Sequence, residues 1–238
     1  MARRPPPSPA DRVADRVADR PADRLAPVLD YLGEVGYGEL YLRRPAAGDG
    51  AAERAAALRV LAEEAAGCTA CRLCRGRRKV VFGSGDAAAD LMFIGEGPGA
   101  QEDRQGLPFV GPAGELLTRI IQAIELRRDE VYITNVVKCR PPRNRDPQED
   151  EVAACSGFLE RQIALVEPKL IVLLGKVAAQ ALLRTDRSLR DLRGRWHRVY
   201  GVETRVTYHP AALLRQTHYK RPTWEDMQIV RDRLRQLR

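Results

Sequence analysis

The chain has 238 residues, of which 44% are hydrophobic, and a formal net charge of +8. This length suits one well-packed domain with small additions and excludes a large multidomain protein. No apolar run approaches the roughly 20 residues of a membrane-spanning helix, and no apolar segment follows the N-terminal Arg and Pro residues, so we expect a cytoplasmic protein without a secretory signal.

The first 50 residues differ in composition from the rest of the chain. Residues 10–24 repeat an Ala-Asp-Arg pattern. Such a charge-balanced, low-complexity segment buries too little apolar surface to fold alone. We therefore expect residues 1–50 to be a disordered N-terminal extension, and residues 51–238 to be the folded domain.

Beyond residue 50, apolar periodicity distinguishes helices from buried strands. Helices are predicted over 51–66, 113–126, 147–166, 176–183 and 223–237, with Asp146-Pro147 and Thr223 at two helix starts. Strands are predicted over 91–94, 131–135, 170–174 and 205–208, with a short strand or turn at 79–83. Strands that alternate with helices predict an α/β fold with a mainly parallel sheet covered on both faces.

The basic excess lies at the C-terminal end of the chain. In residues 184–238, Lys and Arg outnumber Asp and Glu by 14 to 6. A localised positive surface is typical of proteins that bind a polyanion such as nucleic acid. A solvated basic helix accounts for the same charge, so charge alone leaves both interpretations open.

Three predicted strands end in polar residues that lie next to Gly or Pro. The strand at 91–94 leads into Gly95-Glu96-Gly97-Pro98-Gly99, the next strand ends at Asn135, and the last is followed by His209-Pro210. The carboxyl ends of parallel strands meet at one edge of a sheet, where ligands bind. The sequence therefore predicts a pocket formed by Glu96, Asn135 and His209.

The five cysteines suggest a metal site. They are Cys68, Cys71, Cys74, Cys139 and Cys155. Disulfides are not expected in the cytoplasm, and the Cys68-x-x-Cys71 spacing is typical of a metal-ligand pair. Thiolates from two distant segments can close on zinc or on an iron–sulfur cluster. Spacing does not choose between these, and unrelated buried thiols are the third possibility.

Six stretches, which include the cysteines and the turn after the strand at 91–94, occur in order, and the resemblance that they carry covers about residues 55–235. Together they resemble the family 4 uracil-DNA glycosylases, the iron–sulfur-containing type. The stretches are Cys68-Thr-Ala-Cys71-Arg-Leu-Cys74, Val81-Phe82-Gly83-Ser84-Gly85, Gly95-Glu96-Gly97-Pro98-Gly99-Ala-Gln-Glu102-Asp103, Gly106-Leu-Pro108-Phe109-Val110-Gly111-Pro112-Ala113-Gly114, Thr134-Asn135-Val-Val-Lys138-Cys139-Arg140-Pro141-Pro142-Arg-Asn144-Arg145 and Tyr208-His209-Pro210.

The resemblance implies a three-layer α/β/α sandwich with a short, mainly parallel central sheet. It also implies a [4Fe-4S] cluster on Cys68, Cys71, Cys139 and Cys155, with Cys74 as a spare thiol. The implied activity is base-excision repair, in which a monomer flips uracil out of single- or double-stranded DNA and hydrolyses its N-glycosidic bond.

The residue types of the pocket suit that chemistry. Phe109 offers a face for the flipped base, and the Asn135 amide can both donate to and accept from uracil. His209 is placed to stabilise charge on the departing base, together with backbone N–H groups near Glu96 and Gly97. Glu96 and Glu102 are the carboxylates available to the attacking water or the cationic sugar.

Further contacts to DNA are expected outside the base pocket. The substrate-binding set implied by the resemblance includes Gly97, Gly99 and Asn144. Leu213 is the candidate wedge that fills the base stack after flipping, and Arg215 is a candidate phosphate contact. Gly97 stands where the family 1 enzymes carry their catalytic Asp, which leaves the identity of the base open.

Two other functions remain as alternatives. One is a non-catalytic iron–sulfur module that binds DNA or senses redox state. The other is a relative that traps uracil-DNA covalently through a His, although the loop from Lys138 to Pro147 contains no His. The presence of Glu96, Phe109 and Asn135 together with His209 favours catalysis, because a simple binder needs no base-reading pocket.

Overall fold

The computed structural model describes residues 47–238. The prediction of a disordered extension over residues 1–50 therefore lies almost wholly outside the described residues. The first helix of this described part begins at Ala47, a few residues before the predicted domain start.

Within the described residues, six strands form one sheet in the order β1-β3-β2-β4-β6-β5. The four central strands are parallel, and β1 and β5 pair antiparallel with their neighbours at the two edges. The strands are β1 (Ser84–Gly85), β2 (Leu91–Gly95), β3 (Tyr132–Asn135), β4 (Leu170–Leu174), β5 (Trp196–Val199) and β6 (Val202–Thr207).

Helices of the described part cover both faces of this sheet. They are α1 (Ala47–Ala66), α2 (Ala100–Gln105), α3 (Pro112–Ala123), α4 (Glu149–Val166), α5 (Lys176–Leu183), α6 (Leu189–Leu192), α7 (Pro210–Arg215) and α8 (Lys220–Leu237). Short 3₁₀ turns lie at Arg72–Arg75, Arg128–Glu130, Pro142–Asn144 and Thr217–Tyr219.

The strands place alternate side chains in two apolar cores. Met92 and Ile94 point to one face of the sheet, where α1, α4 and α5 pack. Leu91 and Phe93 point to the other face, where α3 and α8 pack. Each fully buried Leu, Ile or Phe side chain contributes about 1.5–3 kcal/mol to folding. Burial on both faces is what a central parallel strand requires, and the predicted three-layer sandwich is confirmed.

Two predicted helix starts were wrong. Helix α4 begins at Glu149, and its N-cap is Gln148 rather than Asp146. The reason is a capping box, in which the Glu151 carboxylate accepts from the Gln148 N–H at 2.9 Å. Helix α8 begins at Lys220, so Thr223 lies inside it.

Thr223 shows why its sequence signal was misleading. Its hydroxyl donates to the Tyr219 carbonyl one turn earlier, at 2.8 Å. Such a bond to the backbone satisfies a buried Thr within a helix.

Two edge features escaped the sequence analysis. The β5–β6 hairpin extends the sheet at one edge, where β5 has two half-buried side chains, one exposed side chain and the buried Val199. Residues 79–83 form neither a helix nor a strand, although the Val81 N–H donates to the Lys138 carbonyl at 2.8 Å.

Candidate active site

A cleft of about 950 Å³ opens at the carboxyl ends of the parallel strands. Its walls come from the turn after β2, the end of β3, the turn after β4 and the residues after β6. This is the edge at which open α/β sheets bind ligands. The structure brings Glu96, Asn135 and His209 together there, although each follows a different strand.

Asn135 presents an unpartnered amide to this cleft. The residue is 1% exposed, and neither its Nδ2 nor its Oδ1 has a hydrogen-bond partner among the described residues. A buried polar group without a partner costs about 1–3 kcal/mol. The strand end nevertheless holds the amide in place, because the adjoining Val136 N–H donates to the Gly95 carbonyl at 2.9 Å. Asn135 therefore has a donor and an acceptor available for a ligand.

Phe109 forms an adjoining wall of the cleft. Its backbone has a positive φ of 52°, and its ring centroid lies 5.5 Å from that of His209. Phe109 is 7% exposed and also packs on the core shared with α3 and α8. The Phe109 ring therefore serves both the core and the cleft.

Two glycines make this placement of Phe109 possible. A Cβ on Gly114 would lie 1.8 Å from the Phe109 carbonyl oxygen. A Cβ on Gly95 would lie 2.5 Å from both the Phe109 ring and the Asn135 Oδ1. Gly95 and Gly114 thus allow the backbone to approach the ring and the amide closely.

The imidazole of His209 has a defined orientation. Its Nδ1 accepts from the Ala211 N–H at 3.1 Å, at the N-terminus of α7. A nitrogen that accepts a hydrogen bond carries no proton, so the neutral ring holds its proton on Nε2. Burial and, secondarily, the charge of Arg215 lower the pKa of His209 to about 4. At neutral pH the ring is therefore an uncharged Nε2–H donor.

Two of the three carboxylates that line the cleft, Glu96 and Glu102, have different surroundings. Burial, assisted by the charge of Asp146, raises the pKa of Glu96 to about 7. The Glu102 Oε1 accepts from the N–H groups of Val110 and Gly111, at 3.0 and 3.1 Å. Glu102 thus fixes the loop that carries Phe109, whereas Glu96 is the carboxyl whose protonation changes near neutral pH.

Gly97 and Gly99 line the cleft beside Glu96. A Cβ on Gly97 would lie 2.8 Å from Val137 Cγ2, so the turn after β2 lies directly against the segment after β3. A Cβ on Gly99 would lie 2.8 Å from the Glu102 Oε2. This close packing exposes backbone rather than side chains along that wall.

Asn144 lies on the loop between β3 and α4 and also lines the cleft. Its φ is 54°, and its Oδ1 accepts from the Arg140 Nε at 2.8 Å. The following Arg145 donates to both carboxylate oxygens of the buried Glu151, at 2.8 and 2.6 Å. The loop is therefore anchored to the first turn of α4.

Helix α7 carries the remaining predicted contacts. Arg215 is exposed and lines the cleft. Leu213 is only 2% exposed, whereas its neighbour Leu214 is 45% exposed. A side chain that enters a base stack must be accessible. The prediction that Leu213 acts as the wedge therefore disagrees with its burial in this structure.

Comparison with known proteins agrees with this arrangement. The family model of the uracil DNA glycosylase superfamily matches residues 82–228. A type-4 uracil-DNA glycosylase of Saccharolobus solfataricus is 44% identical over 186 residues, which cover 74% of this chain and 86% of that protein. The chain belongs to the uracil-DNA glycosylase superfamily.

Other superfamily members are similar over the same core. A type-4 uracil-DNA glycosylase of Thermotoga maritima is 43% identical, over 66% of this chain and 83% of that protein. A type-5 uracil-DNA glycosylase of Pyrobaculum aerophilum is 33% identical, over 54% of this chain and 64% of its own length. The type-4 relatives are thus the more similar of the two groups. No helix in the described part of this superfamily member is long and apolar enough to cross a membrane.

All five cysteines of this superfamily member surround one small cavity. N–H donors approach three of the sulfur atoms: the N–H groups of Ala70, Arg77 and Lys138 approach the Sγ atoms of Cys68, Cys139 and Cys155 at 3.5, 3.3 and 3.4 Å. Among residues 50–238, no group of three or more His, Cys, Asp or Glu side chains is arranged to hold a single metal ion.

Lys138 links the cysteine cavity to the base pocket. Its ammonium donates to the Asn135 carbonyl and the Thr134 hydroxyl, each at 2.7 Å, and to the Gln162 Oε1 at 2.5 Å. Lys138 is 2% exposed, and burial lowers its pKa to about 7. One residue thus connects the strand end at Asn135 with Cys155 through its side chain and its backbone.

The sequence analysis missed several residues of the cleft. Asp146 lines the cleft and could have been included, because it directly follows the quoted stretch that ends at Arg145 and lies close to Asn144, which was assigned to the site. Arg193 and Tyr219 come from the loop before β5 and the 3₁₀ turn before α8, where no motif marks them. Only the folded chain brings these two residues to the cleft.

Proposed function

We propose that this chain removes uracil from DNA by hydrolysing the N-glycosidic bond, which leaves an abasic site for base-excision repair. One observation carries the proposal: the amide of Asn135 is buried, has no partner within the part of the chain that the structure describes, and faces a cleft that Phe109 also lines. A base must leave the stack before its edge can be read in such a pocket.

The Asn135 amide matches uracil and opposes cytosine. Its Nδ2 donates to uracil O4, and its Oδ1 accepts from uracil N3–H. Cytosine presents a donor and an acceptor at the reversed positions, so both contacts would be repulsive. The Phe109 ring provides the apolar face on which the base stacks.

Bond cleavage leaves negative charge on the base and positive charge on the sugar. The neutral His209 donates from Nε2 to uracil O2, where that negative charge collects. Backbone N–H groups at Glu96, Gly97 and Gly99 form the second part of this site. Donors that are fixed before the reaction stabilise developing charge without reorganisation.

Glu96 is the better of the two carboxylates for activating water. Its raised pKa gives it the basicity that proton transfer near neutral pH requires. Glu102 contributes by positioning Phe109, because its Oε1 is occupied by two backbone N–H groups. The same Glu96 charge stabilises the cationic sugar.

Arg215 and Asn144 border the cleft and would contact the DNA strand around the flipped nucleotide. Phosphate contacts by basic side chains make binding dependent on salt. We also propose that the protein acts as a monomer on DNA in the cytoplasm, at the nucleoid.

Cys68, Cys71, Cys139 and Cys155 would hold a [4Fe-4S] cluster. The donor set fits, because thiolates are the ordinary ligands of such clusters and N–H groups approach three of the sulfur atoms. Each thiolate binds a different iron, so the four sulfur atoms need not converge on one point. When bound, the cluster would supply a structural cross-link between three distant segments. Cys74 remains the spare thiol.

The test is an excision assay with Asn135→Asp. Purified protein is incubated with uracil-containing oligonucleotides, single- and double-stranded, and alkali then cleaves any abasic product. The Asp carboxylate cannot donate to O4 and carries a buried charge, which costs more than about 3 kcal/mol, so kcat/KM falls at least about 100-fold.

Gln122→Glu is the matched control, because it makes the same amide-to-acid change at an exposed position of α3. It is expected to keep wild-type activity. Absence of abasic product with the wild-type chain would overturn the proposed function. Equal rates for the wild type and Asn135→Asp would remove Asn135 from its role.

A further inference from the structure

Three side chains stack along one rim of the cleft, and a fourth packs against their outer end. The Arg193 guanidinium lies 4.3 Å from the Tyr208 ring centroid. The rings of Tyr208 and Tyr219 are stacked, with centroids 4.1 Å apart and planes inclined by 19°. His218 follows, with its centroid 4.2 Å from that of Tyr219 and its plane tilted by 54°. We call Arg193, Tyr208, Tyr219 and His218 the rim stack.

The inner end of the rim stack is anchored. Arg193 donates to the Asp226 Oδ2 from Nε and Nη2, at 2.8 and 2.7 Å, and to the Pro222 carbonyl at 2.9 Å. Asp226 is 2% exposed and also accepts from Arg205 and Thr207. A buried carboxylate with four donor contacts holds the guanidinium, and through it the two tyrosine rings, in a fixed position.

The outer end of the rim stack is open to solvent. His218 is exposed and Tyr219 is half-buried. Tyr219, Tyr208 and Arg193 all line the same cleft as Asn135 and Phe109. The stack therefore continues the base pocket toward the surface, and Tyr208 directly precedes His209 in the chain.

The surroundings of the outer end are basic. Arg215, Lys220 and Arg221 lie within a few residues of it, and all three are exposed. Arg221 pairs with Glu225 at the surface, where such pairs contribute little. Aromatic rings beside a positively charged groove are the usual platform for unpaired nucleotides, because every base has a stacking face.

We propose that the outer end of the rim stack, Tyr219 and His218, binds the unpaired base next to the flipped uracil. This second nucleotide subsite rests on the proposed function and extends it, since it selects uracil in single-stranded DNA. An unpaired neighbour can turn onto the Tyr219 ring, whereas a paired neighbour is held by its partner strand.

The test is a double-mutant cycle, in which the Tyr219 ring and the neighbouring DNA base are removed separately and together. Excision of a central uracil is measured in a single-stranded oligonucleotide and in two matched strands, with a tetrahydrofuran abasic analogue at the 5′ or the 3′ neighbour. Tyr219→Ala should lower kcat/KM on the intact strand by about 5- to 100-fold. The wild type should lose a similar factor on one abasic strand, where Tyr219→Ala loses nothing further.

Matched variants separate stacking from loss of structure. Tyr219→Phe keeps the ring and should therefore keep the dependence of kcat/KM on the same neighbouring base. Tyr200→Ala removes an exposed ring that does not line the cleft, and should also keep wild-type activity. Melting temperatures identify any variant that fails to fold. If Tyr219→Ala does not fold, the cycle is repeated with His218→Ala, because the His218 side chain is exposed and makes the outermost contact.

The possible failures are distinguishable. If the wild type excises uracil but the effects of Tyr219→Ala and of both abasic neighbours simply multiply, the ring and the base do not interact and the second subsite is wrong. If the wild type excises no uracil from any strand, the proposed function itself is wrong. Loss of the Tyr219→Ala effect on one abasic strand supports the subsite and identifies the neighbour.

Discussion

Burial acts in opposite directions on two titratable groups of the cleft. It raises the pKa of Glu96 to about 7 and lowers that of His209 to about 4, because in each case it disfavours the charged form. Above about pH 7, Glu96 is an anion while His209 is a neutral donor. The two groups therefore suit the two charges of the reaction, the cation on the sugar and the anion on the base.

The pH dependence of excision follows from these values. Only the ionised form of Glu96 accepts a proton, so kcat/KM should fall about tenfold per unit as the pH decreases below 7. His209 does not contribute to this acidic limb of the pH profile, since it stays neutral until about pH 4. Glu96→Gln should lower kcat/KM by about 10²- to 10⁴-fold and abolish the limb. Rates measured between pH 5 and 9 check this, and a limb near pH 7 that persists in Glu96→Gln would contradict the role of Glu96.

At the scale of elements, the loop between α2 and α3 carries Phe109, the ring proposed to stack on the base. This loop turns at Phe109 with a positive φ. The N–H groups of the next two residues, Val110 and Gly111, lie at the N-terminus of α3 and donate to the carboxylate of Glu102, which belongs to α2. A carboxylate at that position also interacts favourably with the helix dipole. The position of the ring thus depends on a side chain from another helix.

Glu102 can be tested as a positioning residue. Glu102→Ala leaves two N–H groups without their acceptor, so kcat/KM should fall about 10- to 100-fold at a cost of about 1–3 kcal/mol. Glu102→Gln keeps an acceptor oxygen and should remain within about fivefold of the wild type. A residue that activates water would tolerate neither change. Equal losses in both variants, measured with single-stranded uracil substrate, would therefore return Glu102 to a direct catalytic role.

The sequence was most informative where burial alone decides the element. The all-apolar strands β2 and β4 can only be central strands, and both were predicted nearly to the residue. The start of α4 was misplaced because the Glu151 side chain caps it by accepting from the Gln148 N–H. Strand β5 was missed because an edge strand buries little, and only the second half of β6 was predicted, over 205–208.

The same distinction holds in the cleft. Asn135 and His209 follow buried strands, so their approach was predictable from the order of the elements. The burial of Leu213 was not, since it depends on how α7 packs against α3. Arg193 and Tyr219 reach the cleft only through contacts with Asp226 and Tyr208. Such contacts between distant segments leave no local pattern in a sequence.

At the scale of the whole molecule, the cysteine cavity joins segments that are far apart in the chain. It brings the loop after α1 against the segment after β3 and the second turn of α4. The Arg77 side chain closes the same region, because it donates to the Cys68 carbonyl at 2.7 Å and to the Ala66 carbonyl at 2.9 Å. A cluster held there would therefore stabilise the side of the domain that carries Asn135, through Lys138.

Cys74, the proposed spare thiol, provides an internal control for the proposed ligand set. Cys155→Ser removes a proposed ligand, so the purified protein should lose most of its iron and its visible thiolate-to-iron absorbance. Its Tm should fall by at least about 5 °C, because the free energy of metal binding is part of the folding free energy. Cys74→Ser should keep both iron and Tm, although Cys74 lines the same cavity. Iron analysis and thermal unfolding of the two variants decide between ligand and spare thiol. Zinc in place of iron in the wild type would contradict the cluster, and loss of iron in Cys74→Ser would contradict the proposed ligand set.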